Sequence, residues 1–468
     1  MLNDIHGLPI SSSSPEAIVA FDRTILSYLK YRVDTSEHLA RAIVADPEFG
    51  LAYCVKGYFA MLSFKQANVP IATEAAKSAR VFTANATGRE QAHVDALEAW
   101  IAGNLDGMLV CWERILAEYP MDVLAFRLAH FNNFWLGRPQ DMRASVDRVF
   151  PKWVPDLPGY GTILSCRCFA YEECGDYATA EPAGRAAVEI DPADLWGTHA
   201  VAHILEMQGR HSEGIAFLEG LERHWAGANN IVHHLWWHRA LFHMERREFD
   251  AVLDLYDRRF RNLASPLTKA QPDFYIDIQN AASMLFRLER QGVAVGDRWI
   301  EIADKAIDRI GDCRSVFTLP HWMMGLAACG RHDAAHRMLE AMRECGRGAE
   351  MLAPIVSRIA VPVSEAVLAH RQGNYARAVD LMRPVLADMY LLGGSHAQQD
   401  VLEQLFLDSA LKAGRMDDVH LMLARVAARH PMPPERRVGY ARRRNESCID
   451  ATVSAQQLDA MSTLKAAL

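Results

Sequence analysis

Several familiar signatures are missing from this 468-residue chain. No pair of cysteines has the Cys-x-x-Cys spacing, and the nine cysteines form no regular framework, so neither a disulfide scaffold nor a cysteine zinc site is indicated. Cys166 and Cys168 lie in an apolar helical pattern without a second pair to close a metal site. No window approaches the roughly 20 charge-free apolar residues of a membrane helix. The start "MLNDIHGLPISSSSPEAIVAFD" lacks a basic stretch followed by an apolar one, which argues against a secretory signal. Alternating β-branched runs bounded by turns are nearly absent, and this excludes most β and α/β folds. Positive charge is not in excess: the formal net charge is -8, giving no general attraction to nucleic acid or anionic membrane. The basic run "ERRVGYARRR", Glu435 to Arg444, reads as a solvated helix face. There is no Walker loop, no dinucleotide fingerprint, no Gly-x-Ser-x-Gly elbow and no His-Glu-x-x-His pattern. A cytoplasmic protein with reduced thiols is the expectation.

What the chain does have is a repeat. Gly103, Gly175 and Gly414 each precede a proline by 17 residues, at Pro120, Pro192 and Pro431. Glycine allows the tight turn after one helix, and proline cannot continue the next. Gly103 to Gly137 and Gly175 to Gly209 are both 34 residues, the period of the tetratricopeptide repeat. The expected fold is all-α: an α-solenoid, wound as a right-handed superhelix of tetratricopeptide-like hairpins. Residues 1–30 form an N-terminal segment and first helix, 31–431 the solenoid, and 432–468 a C-terminal basic segment and helix. Boundaries are least regular from Arg258 to Val316.

The stretch "WGTHAVAHILEMQGR" then raises a chemical question. With Leu195 as repeat position 1, His199, His203 and Glu206 fall on groove-facing positions 5, 9 and 12, and Gly209 on the turn. With His233 as position 1, His234 takes position 2 and His238 lies one turn on. With Arg89 as position 1, Glu90 and His93 take positions 2 and 5. Imidazoles at i and i+4 can hold one metal, so His199, His203, His234 and His238 are candidate ligands for a divalent transition metal. Glu90 with His93, and His203 with Glu206, have the i, i+3 spacing of carboxylate-bridged sites. Without metal, an imidazole beside a carboxylate is a general base. The plain alternative is the hydrated wall of a peptide channel. His199, His203, Glu206, His234 and His238 form the candidate catalytic set; Glu90, His93, Glu173, Trp237, Asp277, His321 and His396 are candidate ligand-binding residues.

Several stretches resemble the tetratricopeptide repeat protein 38 family over about residues 5 to 430. They are "HGLPISSSSPEAIVAFD", "GREQAHVDALEAWIAGNL", "WGTHAVAHILEMQGR", "HLWWHRALFHMERREFDAVLDLYD", "SMLFRLERQGVAVGDRW" and "GGSHAQQDVLEQLF". The resemblance implies a cytosolic α-solenoid with a polar cavity, and supplies no reaction. Its polar positions fall on Glu90, His93, His130, Glu173, His199, His203, Glu206, His234, His238, Asp277, His321 and His396. Leu319 stands where the family pattern has an acid, and Asn280 where some members carry aspartate.

Some of these positions have structural readings. Ser395 with Gln398 forms a capping box, which places His396 in a first turn where an anion is favoured. His130 sits at a packing position. Trp237 could pack or stack on a ligand. Glu173 is a cap or a groove acid. The leading expectation is a groove that takes a peptide segment or small molecule, with self-association open; the alternative is an enzyme in that cavity.

Overall fold

A computed structural model describes residues 2–441. Apart from a short hairpin pairing Leu2–Asn3 with Pro9–Ile10, its regular elements are helices, from Pro15–Leu29 to Met416–Arg429. Ser14 starts the first helix by accepting from the Ala17 amide. The expected hairpins are present. Tyr160–Glu173 packs on Tyr177–Ile190, Leu195–Met207 on His211–Leu221, and Ile231–Glu245 on Phe249–Leu255. Gly209 turns the second of these hairpins at φ +71°, backbone that a residue with a Cβ adopts only at a cost. No helix among the described residues is long and apolar enough to cross a membrane.

Two hydrophobic cores run through the molecule. One spans Ile10 to Phe242, and the other spans Trp237 to Tyr440. The helix Ile231–Glu245 belongs to both, giving Leu235 and Phe242 to the first and Trp237 and Leu241 to the second. That helix carries His234 and His238, so the candidate histidines lie at the seam.

Neighbouring hairpins pack on one another, and further contacts join segments distant in the chain. Lys65 pairs with Asp273 at 2.7 Å, and the Met351 amide donates to Gly103 O at 3.2 Å. Lys30 reaches Asp191 at 2.7 Å, and Arg287 donates to Ala397 O at 2.9 Å. The histidine-bearing helix Leu195–Met207 is itself met by the distant His396–Lys412, and its histidines are buried where an open groove was expected. Of the basic C-terminal run, Arg442, Arg443 and Arg444 lie outside the described residues, and the described part is only partly solvated. Arg437 is buried and donates to Asp400 at 2.7 Å, Tyr440 donates to the same oxygen at 2.7 Å, and the Val438 amide donates to Glu245 at 2.8 Å. An arginine can be buried there because Asp400 neutralises it. Only a short turn, Pro434–Arg436, is helical in this stretch; the expected C-terminal helix lies outside the described residues.

Closure leaves little room at one contact. Gly393 has φ +89°, and a Cβ there would stand 2.4 Å from Trp135 O. Gly393→Ala is expected to lower unfolding free energy by about 2–4 kcal/mol, from left-handed backbone plus overpacking. Urea denaturation checks this; an unchanged midpoint would show that the 383–392 and 123–135 segments do not pack as described.

Candidate functional site

Four residues apart on one helix face, His199 and His203 project from Leu195–Met207, and His234 and His238 project likewise from the adjoining Ile231–Glu245. One nitrogen from each ring lies within 4.8 Å of the others. His203 Nε2 and His199 Nε2 are 3.0 Å apart, and the ring centroids of His203 and His238 are 4.5 Å apart. Aromatic faces hold the rings: Trp196 stacks on His199 at 4.6 Å, and Trp237 on His234 at 5.0 Å and 11°. Phe169 stands against His199 and His203, both at 5.3 Å.

Polar neighbours orient the ring protons. His234 donates from Nδ1 to Asn280 Oδ1 at 2.9 Å, since the amide oxygen only accepts. His238 donates from Nδ1 to Glu206 Oε2 at 3.1 Å. Both bonds leave the Nε2 lone pairs free to ligate, the arrangement that outer partners impose on metal-binding histidines. His238 Nε2, His199 Nδ1 and His203 Nδ1 have no hydrogen-bond partner. Leaving each such nitrogen buried and unsatisfied costs about 1–3 kcal/mol.

Exposure decides the ionisation. The four histidines are 0–4% exposed. Burial, joined by their mutual repulsion as cations, holds His199 and His203 far below their usual range, and burial brings His234 and His238 to about 3. The rings are therefore neutral at physiological pH and available as ligands. A carboxyl in the same interior moves the other way: burial raises Glu206 to about 7. It also raises Glu173 to about 8 and Glu172 well above the usual range, where the neighbouring acids push it further.

The remaining candidates divide. Glu206 joins the quartet through His238. Glu173 and His396 meet each other, with His396 Nε2 3.4 Å from Glu173 O, and line a cavity of about 510 Å³ with Gln399, Arg425 and Arg429. His396 does sit in the first turn of a helix capped by Ser395 and Gln398, as the spacing predicts. Four ligand-binding candidates are engaged by other side chains. Glu90 closes a capping box with Thr87 and accepts from Ser11, so its carboxylate ties the N-terminal segment down. His93 is engaged by Asp122 at 3.0 Å and Tyr58 at 3.2 Å, apart from the quartet. Asp277 accepts from Asn230 at 2.8 Å and His233 at 2.9 Å. Trp237 is fully buried and spends its face on His234. His321 donates from Nδ1 to Phe317 O at 2.8 Å and is buried, with no partner for Nε2. His130 is buried among Phe126, Phe169 and Trp196, in keeping with a packing position.

Two contributors were not selected from sequence. Glu172 is completely buried, and its Oε2 is 3.9 Å from His203 Nδ1. Its signal in the sequence is the doublet "EE" before Gly175, of which the family resemblance singles out only Glu173. Asn280, noted as a departure from the resemblance, proves to be the hydrogen-bond acceptor for His234. Leu319, the other departure, is a core residue. No protein-family model matches the chain.

The low pKa of the histidines sets a pH dependence. His234 and His238 titrate near 6.5 unfolded and about 3 folded, so between these values the unfolded chain binds more protons. Their stabilising contribution is fully present above about pH 6.5 and is lost as pH falls toward 3. In metal-free protein, His234→Gln with His238→Gln is expected to remove about two protons from the stability slope between pH 5 and 4, ~2.7 kcal/mol per pH unit. Urea unfolding at fixed pH values measures it, and a slope equal to that of the wild type would contradict the burial argument.

Proposed function

We propose that the protein is a metal-dependent enzyme of helical-repeat architecture, acting on a small molecule at an enclosed centre built from His199, His203, His234 and His238. The observation that carries this reading is the convergence of four neutral, buried imidazole nitrogens within 4.8 Å of one another. Ligand nitrogens about 2.0–2.1 Å from one tetrahedral ion lie roughly 3.3 Å apart, close to the 3.0 Å between the His199 and His203 nitrogens. An all-imidazole set suits zinc, copper, iron or nickel. When bound, such an ion would supply Lewis-acid polarisation to a substrate atom taken as a further ligand beside the four rings. Glu206, hydrogen-bonded to His238 and raised to about 7, is placed to take up or give a proton near neutral pH.

An extended peptide is disfavoured as the occupant, because the groove positions are closed over and nearly unexposed. The acid–base alternative without metal is supported by Glu206 and His238, but it leaves His238 Nε2 without a partner. Membership of the tetratricopeptide repeat protein 38 family, the right-handed superhelix and a cytoplasmic location belong to this proposal; the 34-residue spacing and the hairpins support the first two.

Elemental analysis of protein made without a histidine tag tests it. At least one equivalent of transition metal is expected to survive desalting, and His199→Ala with His203→Ala is expected to lose at least 90% of it. Wild-type protein that takes up no metal after exposure to Zn²⁺, Fe²⁺, Cu²⁺ and Ni²⁺ in turn would end the proposal.

A further inference from the structure

We propose a second cation site beside the quartet, formed by Glu172, Glu173 and the far edge of His203, so that one imidazole serves two ions. Glu172 and Glu173 end the helix Tyr160–Glu173 and meet the side of His203 that faces away from His199. One ligand atom from each of the three lies within 4.8 Å of the others.

The polar atoms at this point have no other use. Both carboxylate oxygens of Glu172, Oε1 of Glu173 and Nδ1 of His203 lack a hydrogen-bond partner, and Glu172 and His203 are completely buried. His203 Nδ1 and Glu172 Oε2 stand 3.9 Å apart, too far for a hydrogen bond. That separation suits two atoms on one ion, since bonds of about 2.0–2.2 Å place ligand atoms roughly 3–4 Å apart. Protein cations do not meet the need. Arg429 is the charge that acts most on Glu173, yet its nitrogens donate to Glu403 at 2.7 Å and to His396 Nδ1 at 2.9 Å.

Protonating the two acids would remove their charge and still leave O–H donors and acceptor oxygens unmatched in the interior, at about 1–3 kcal/mol each. A dication satisfies all four atoms together. Two carboxylates with one imidazole favour Zn²⁺, Mn²⁺ or Fe²⁺. Binding through His203 Nδ1 releases that ring proton, and any proton held on Glu172 or Glu173 leaves with it, so uptake is accompanied by acidification of the solvent. Glu173 also lines the cavity of about 510 Å³ with His396 and Arg429, which gives ions and small molecules an approach from that side. The inference rests on the proposed function only in assigning His203 Nε2 to the first ion.

The test loads chelator-stripped full-length protein with Zn²⁺ alone, and separately with Mn²⁺ alone, and counts ions per chain after gel filtration. Wild type is expected to hold two zinc ions and Glu172→Gln with Glu173→Gln one. The single variant Glu173→Gln, the milder change, is expected to bind the second ion at least ten-fold more weakly. His199→Ala with His234→Ala is expected to retain one ion that the glutamine pair then abolishes. One ion in both wild type and the glutamine variant overturns the second site and leaves the quartet standing. One ion lost in the glutamine variant but kept in His199→Ala with His234→Ala supports the second site and overturns the quartet. No ion in wild type overturns both.

Discussion

Two pairs of imidazoles are kept neutral in a buried interior, and the arrangement of the candidate site depends on how that is done. A charged imidazolium buried without a counter-charge is expensive, and the rings respond by giving up the proton. Each helix contributes its pair through a spacing of four residues, and Trp196, Phe169 and Trp237 fix the rings by their faces. Packing alone would leave the nitrogens unmatched. Asn280 and Glu206 answer part of the demand by accepting from His234 and His238, which turns the other edges of those rings inward. The seam between two cores makes this possible, because Ile231–Glu245 carries apolar residues to both sides while its histidines fall between them.

The long-range contacts give this centre its enclosure. Arg437 and Tyr440 close on Asp400, and Arg437 and Arg287 are the cations that most oppose the rise of Glu206. Burial wins over both charges and leaves that carboxyl near 7 instead of in the usual carboxylate range. Arg429 likewise opposes the rise of Glu173, and neighbouring acids add to that of Glu172; both rise further than Glu206. Three carboxyls within reach of the same quartet thus differ according to which part of the folded-back chain lies over them.

Local chemistry was legible in the sequence and non-local closure was not. The hairpins, the turn at Gly209, the capping box at Ser395 and the pairing of His199 with His203 follow from spacings of a few residues or from a repeat period. The same periodicity placed His93 and Glu90 on groove positions, but Asp122 and Ser11, distant in sequence, claim them instead. Asp277 looked free until His233 and Asn230 folded onto it. Choosing between Glu172 and Glu173 needed the direction in which a helix end faces, and repeat numbering does not carry that. The burial of Arg437 depends on Asp400, a partner that no local pattern singles out.

The proposed metal centre is tested most directly by X-ray absorption on untagged protein as purified. The account predicts a nearest shell of nitrogen at about 2.0–2.1 Å, with the outer-shell scattering of several imidazole rings. A sulfur shell, or an oxygen shell without imidazole scattering, would contradict it.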